Sequence, residues 1–231
     1  MLVHGAFADS SSWNGVIRNL EGHGHHVVAV ANPLRGLHTD AEYVRSVLDG
    51  VAGPVVLAGH SYGGSVMSEA ADGHPAVRAL VYVASFILEE GESTSELAGK
   101  FPGARLGAAL DAVPFPLPDG GTGNDLYIRQ EEFRKVFAAD VPEEVTDLMA
   151  ATQRPITSAA LDEPATRAAW KAIPSWNLVT TEDLAIPAAS MRFMGERAGA
   201  HTVEITASHA VTVSQPDAVA DLIGEAARAT A

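Results

Sequence analysis

Apolar positions along the chain fall into two alternating rhythms. Short, continuously apolar runs occupy residues 1–4, 27–31, 55–58, 79–83, 176–180 and 202–206. They lack the alternation of a half-exposed strand, so they predict strands covered on both faces. Between them, apolar residues recur at helical spacing. Trp13, Val16, Ile17 and Leu20 follow a cap at Asp9 or a neighbouring serine and stop near Gly22 or Gly24. Tyr43, Val44, Val47, Leu48 and Val51 predict a second helix capped by Thr39 or Asp40. Ser214-Gln215-Pro216-Asp217 reads as a capping box with an early proline, and puts Val219, Leu222 and Ile223 on one side of a last helix. Alternating strand and helix with short connections predicts an α/β fold: a doubly wound, mostly parallel sheet of about six strands.

That rhythm breaks between residues 86 and 172. The stretch contains Pro114-Phe115-Pro116-Leu117-Pro118-Asp119-Gly120-Gly121, short helical pieces such as 131–138, and no run that reads as a buried strand. It is too long for a loop. It predicts a helical cap inserted into one domain spanning residues 1–231.

Composition narrows the functional classes. At 47% apolar and 19% charged, the 231 residues can fill one large core. Fifteen basic against 29 acidic residues give −14, with no basic run, which argues against nucleic acid and anionic membranes as partners. No window holds 18 unbroken apolar residues, so no membrane span is expected. Cysteine is absent, which removes disulfides, thiolate nucleophiles and Cys-ligated zinc. Met1-Leu2-Val3 leads directly into His4-Gly5 without a basic or long apolar leader, so a cytoplasmic protein is expected. A homodimer is left open.

The strongest chemical signal is Gly59-His60-Ser61-Tyr62-Gly63-Gly64, set between an apolar strand and a helical run. A serine on such a strand-to-helix turn projects its hydroxyl above the sheet edge, while glycines allow strand and helix to approach. Serine is a weak nucleophile and needs a base, which needs an orienting acid. His209, between the last strand and last helix, reaches the same carboxyl edge of the sheet. The acid is expected at Asp183, just past residues 176–180, with Glu182 as its neighbouring competitor. The turn at His4-Gly5-Ala6-Phe7 can aim the Ala6 amide at a reacting carbonyl, with the Tyr62 amide as second donor. His60 is expected to brace the elbow. His23, His25 and His26 read as exposed histidines on a turn, with no adjoining carboxylate cluster to make a metal site.

These segments together, His4-Gly5-Ala6-Phe7 through Trp13, the Gly59–Gly64 elbow, Asp183 with Ile186-Pro187, and His209, resemble the α/β-hydrolase superfamily. The resemblance covers nearly the whole chain outside the insertion. It is nearest to small bacterial carboxylesterase-type hydrolases related to the plant methylesterase and hydroxynitrile lyase branch. It implies Ser61 as nucleophile, His209 as base, Asp183 as orienting acid, and Ala6 and Tyr62 as the oxyanion hole. It also implies that the inserted segment is a cap. The aromatic residues beside the elbow and in the insertion predict an apolar pocket, with Phe7, Phe86, Phe115 and Tyr127 as the expected substrate contacts. No metal or organic cofactor is implied. The chain departs from the fuller pattern in showing six strands where that pattern has eight. Lyases of the branch carry a hydroxyl residue at the position of Gly5 and a lysine at that of Ala210, so hydrolysis of small or medium uncharged esters is favoured. A hydrolase-fold ligand receptor is the rival of a different class.

Overall fold

The structure, a computed structural model, describes residues 1–231. Nine strands form two sheets: β1 (Leu2–Val3), β2 (Ala29–Val30), β3 (Val55–His60), β4 (Val77–Val83), β5 (Leu110–Pro116), β6 (Thr122–Ile128), β7 (Ile156–Thr157), β8 (Ser175–Thr180) and β9 (His201–Ile205). The main sheet has the order β2-β1-β3-β4-β8-β9, and every neighbouring pair is parallel. This is the six-stranded, doubly wound sheet that the apolar runs predict, except that β9, at its edge, alternates polar and apolar residues and is exposed along His201–Glu204 where a strand covered on both faces was expected. Strands β1 and β2 are shorter than expected, two residues each.

Ten helices complete the fold: α1 (Asn14–Gly22), α2 (Leu37–Asp49), α3 (Tyr62–Ala71), α4 (Thr94–Gly99), α5 (Gln130–Phe137), α6 (Glu143–Thr152), α7 (Ser158–Asp162), α8 (Ala188–Arg197), α9 (Val211–Ser214) and α10 (Pro216–Ala229). The apolar stripe of α1, with Val16 and Leu20 buried, packs on α10, whose Val219, Leu222 and Ile223 face inward. Helix α2 packs on α3. Full burial of Leu57, Leu80 and Val81 in the central strands stabilises the sheet by roughly 2 kcal/mol each. No helix is long and apolar enough to cross a membrane.

Helix starts differ from expectation in three places. Asp9 does cap, accepting from the Ser11 amide, but the element it opens is a 3-10 turn, Ser10–Trp13, that runs into α1. Helix α2 begins at Leu37, ahead of Thr39 and Asp40, because the Asp40 carboxylate turns inward to accept from the Arg35 amide and the Tyr62 hydroxyl. No capping box forms at α10: Pro216 takes the first helical position, but Gln215 supplies no side-chain cap and Ser214 ends α9. Tyr43, read as part of the inward face of α2, is 44% exposed.

The 86–172 segment, expected as a helical cap and called the cap below, is not purely helical. It carries α4 to α7 together with an antiparallel sheet of order β5-β6-β7. Strand β5 lies at the edge of that sheet and is mostly exposed, which is where Pro114 and Pro116 cost no ladder bonds. The cap is tied to the core through main-chain groups. Phe7 N–H donates to Arg154 O at 3.0 Å, Thr157 N–H to Leu34 O at 3.1 Å, and Ala210 N–H to Phe137 O at 2.9 Å. The Thr157 hydroxyl donates to Arg35 O, and the Arg35 guanidinium pairs with Asp125 at 2.7 Å and lies over the Phe115 ring.

Candidate active site

Four non-glycine residues adopt positive φ: Phe7 (60°), Leu34 (63°), Ser61 (54°) and Ala84 (43°). Each lies just past the carboxyl end of one of β1 to β4, so backbone strain is concentrated at one edge of the sheet. Ser61 has φ 54° and ψ −128° between β3 and α3. The turn is feasible because a Cβ at Gly63 would lie 2.3 Å from Val3 O, and only glycine lets α3 start that close to β1. The Ser85 hydroxyl donates to Ser61 O at 2.6 Å and holds the strained carbonyl.

Asp183 and His209, 26 residues apart, meet at the same edge. His209 Nδ1–H donates to Asp183 Oδ2 at 2.7 Å, with both side chains almost entirely buried. The carboxylate is held on all sides. Its Oδ1 accepts from the Ala185 and Ile186 amides at 2.7 and 2.9 Å, and its Oδ2 also accepts from the Thr180 hydroxyl at 2.9 Å. Glu182, the competitor, is exposed. His60 Nε2–H donates to His209 O at 2.8 Å, and the two imidazoles lie 4.7 Å apart. Neither His209 Nε2 nor Ser61 Oγ takes a hydrogen-bond partner within the chain, so both reactive atoms are uncommitted.

The backbone amides of Ala6 and Tyr62 are also uncommitted, while the neighbouring Phe7 amide is used by Arg154. Tyr62 is fixed from its other end by the hydrogen bond to Asp40 at 2.8 Å. Burial, with Asp40 beside it, raises the phenol far above its ordinary range, so Tyr62 stays a neutral donor.

Of the expected substrate contacts, Phe7 joins the aromatic group around His209, through its edge-on contact with Phe137. Phe86 is buried just past Ser85, with its carbonyl against Gly64. Phe115 and Tyr127 lie on the cap hairpin, where Phe115 packs under Arg35 and Tyr127 pairs across from Asp111. The group around His209 consists of His60, Phe7, Trp13, Phe133 and Phe137 and does not include Phe86, Phe115 or Tyr127.

Phe137, at the end of α5, was not picked out from the sequence. Its ring lies 4.8 Å from the His209 imidazole, and its carbonyl accepts from Ala210 N–H and the Ser208 hydroxyl. Ser208 also bonds the Asp140 carboxylate. The spacing of Phe133 and Phe137 on one face of α5 was the available signal, since both bury that face. His23, His25 and His26 are exposed on the turn after α1.

Two cavities frame this edge and its opposite. One, about 210 Å³, lies between the 7–12 loop and α6 and includes Phe7 in its wall. The other, about 220 Å³, lies at the amino ends of the strands beside Met1, Val27 and Val55; neither wall includes Ser61, Asp183 or His209. In doubly wound sheets ligands bind at the carboxyl ends.

Burial also sets the response to acid. It lowers the pKa of His60 to about 3 and of His4 to about 4, and that of the Met1 amine to about 5. All three are bases that the unfolded chain protonates first, so stability falls as pH drops below their unfolded values. At pH 5 each histidine costs about 2 kcal/mol relative to pH 7, the difference between pH and an unfolded pKa near 6.5. Asp40, raised by burial, works in the opposite direction. Scanning calorimetry is expected to show a melting temperature roughly 10 °C lower at pH 5 than at pH 7. An unchanged midpoint would mean that these imidazoles are hydrated in solution.

Residues 1–222 match the profile of the alpha/beta hydrolase family. The chain is 30% identical to a pyrethroid hydrolase of Sphingobium wenxiniae, across all of this chain and 88% of that one. It is 32% identical to a carbendazim hydrolyzing esterase of a Nocardioides species, across 48% of this chain and 55% of that protein. Among solved structures it is similar to a pyrethroid hydrolase from Sphingobium faniae, with a TM-score of 0.77 at 25% identity over 99% of this chain and 96% of the other. It also shares the fold of polyneuridine aldehyde esterase, with a TM-score of 0.83 at 21% identity over 98% and 97% of the two chains. Fold, elbow and family profile agree: the chain belongs to the α/β-hydrolase family.

Proposed function

We propose that the protein is a serine hydrolase of carboxylic esters, acting on small or medium apolar substrates through an acyl-enzyme on Ser61. The observation that carries this reading is the buried His209–Asp183 hydrogen bond, at the same sheet edge as a strained serine and two unused amides. In the first half-reaction Ser61 Oγ attacks the ester carbonyl as its proton passes to His209 Nε2. Asp183 holds Nδ1–H and so keeps Nε2 as the basic nitrogen. The amides of Ala6 and Tyr62 receive the oxyanion. Collapse expels the alkoxide, which takes the proton from His209 and leaves as alcohol. Water, deprotonated by His209, then attacks the acyl-enzyme and releases the acid, restoring Ser61. Neither half-reaction calls for a metal or organic cofactor.

The lyase alternative has a steric obstacle. A Cβ at position 5 would lie 2.6 Å from Ser61 Cβ and 2.8 Å from His60 O, so this site has no room for the hydroxyl residue that lyases of the branch carry there. Ala210 in place of lysine leaves no cation beside His209 to stabilise a departing cyanide. Relatives named for pyrethroid hydrolysis and as a carbendazim hydrolyzing esterase support ester chemistry.

The test is hydrolysis of p-nitrophenyl esters of increasing acyl length. Turnover peaking at short to medium chains is expected. A folded protein that turns over none of them overturns the reading and favours a ligand receptor.

A further inference from the structure

We propose that the cavity between the 7–12 loop and α6 receives an uncharged aryl or alkyl arm of the substrate, an inference that rests on the ester-hydrolase reading above. Its apolar wall is formed by Phe7, Val145, Leu148, Met149 and Val213. Position links it to the chemistry. Phe7 directly follows Ala6, the proposed oxyanion donor, and its ring meets Phe137, which meets His209. Phe7 is thus the wall residue whose aromatic contacts lead, through Phe137, to His209. Size agrees, since an apolar cavity of about 150 Å³ accommodates benzene. At about 210 Å³ this one holds a substituted ring or a branched chain.

The polar residues of the wall decide the chemistry of the occupant. Asp9 Oδ1 accepts from the amide and hydroxyl of Ser11, and the Ser12 hydroxyl donates to Asp9 O. The Thr152 hydroxyl donates to Leu148 O. Gln153 donates to Ile128 O and Ala150 O and accepts from Ile128 N–H. Each side-chain donor is already used, so a polar arm gains little. Burial works to raise the Asp9 pKa, but the two hydrogen bonds from Ser11 outweigh it and hold the carboxyl below its usual range. An ionised Asp9 repels a carboxylate-bearing arm.

Leu148 forms the lip. It is 68% exposed, more than any other large hydrophobic side chain, and shares one face of α6 with Val145 and Met149 at i, i+3 and i+4 spacing. Scattered exposed leucines carry no message, but this one borders an apolar cavity.

The experiment compares kcat/KM for p-nitrophenyl hexanoate against acetate, and for hexyl acetate against methyl acetate, in wild type and Leu148→Asp. The long-to-short ratio is expected to fall about tenfold in one series, which identifies the arm as acyl or alcohol. The same change at Val113, exposed on β5, controls for surface charge and is expected to leave both ratios unaltered. Unaltered ratios in Leu148→Asp overturn the proposal. Calorimetric titration of p-nitrophenyl hexanoate into Ser61→Ala, with and without Leu148→Asp, reads the same cavity without turnover. A tenfold weaker Kd supports the proposal, or equal Kd overturns it, even where the wild type hydrolyses no ester and the functional reading itself has failed.

Discussion

Ser61→Ala is expected to lower ester turnover by about 10⁶ while leaving the melting temperature within a degree or two of wild type. In comparable triads, loss of the serine removes the whole covalent route, and only binding and the oxyanion donors remain. The structure explains why folding should be spared. Ser61 at φ 54° is no harder for alanine than for serine, its hydroxyl makes no hydrogen bond within the chain, and the Ser85 bond goes to its main-chain oxygen. The measurement is kcat on p-nitrophenyl acetate beside a thermal melt. Retention of more than a few per cent of wild-type turnover by a folded mutant would remove Ser61 from the mechanism. Ser61→Gly provides an independent readout, because glycine relieves the positive φ. It should be equally inactive but more stable, by on the order of 1 kcal/mol.

The second large effect is expected for Asp183→Asn, a fall in kcat of about 10⁴. The amides of Ala185 and Ile186 both donate to Oδ1, so the asparagine oxygen remains there and its NH₂ group replaces Oδ2. That NH₂ then faces His209 Nδ1. Two donors cannot pair, so the imidazole moves its proton to Nε2 and loses its basic nitrogen toward Ser61. Glu182→Gln, on an exposed neighbour, should change kcat by less than twofold. Equal losses in the two variants would point to general electrostatics in place of a tautomer lock.

The parts of this site that are legible in the sequence are those encoded locally. The Gly59–Gly64 turn needs its glycines for contacts within a few residues or with the adjacent strand, so the motif and its geometry coincide. Asp183 and His209 were legible because each lies a few residues past a strand of the main sheet, marked by the buried run of β8 for Asp183 and by the alternating Val203 and Ile205 of β9 for His209. The hold of Phe137 on the histidine loop was not legible, since it joins a cap helix to residues some 70 positions later. The cap sheet was hidden for a different reason. Strand β5 is exposed along most of its length and contains two prolines, so neither alternation nor β propensity marks it. The inward turn of Asp40 was not legible either, because besides the nearby Arg35 amide its carboxylate accepts from the Tyr62 hydroxyl, 22 residues away.

The main-chain ties between cap and core also bear on the rate at which substrate and product exchange. Raising the cap as one body breaks the Phe7–Arg154, Thr157–Leu34, Ala210–Phe137 and Arg105–Leu184 bonds, the Thr157 hydroxyl bond to Arg35, the Ser208 hydroxyl bond to Phe137 and the Arg35–Asp125 pair. At about 1 kcal/mol for each hydrogen bond, a fully lifted cap is populated on the order of once in ten thousand molecules or less. A ligand that required this state would lose about ten-thousandfold or more in apparent affinity. It would also pull the Phe137 carbonyl from the loop that carries His209, so that the state admitting substrate would be the one with the least ordered base. Traffic past Leu148, at the lip of the cavity beside α6, avoids both penalties, so substitutions along the edge of α6 are expected to change exchange of substrate and product more than substitutions at the ties of the cap.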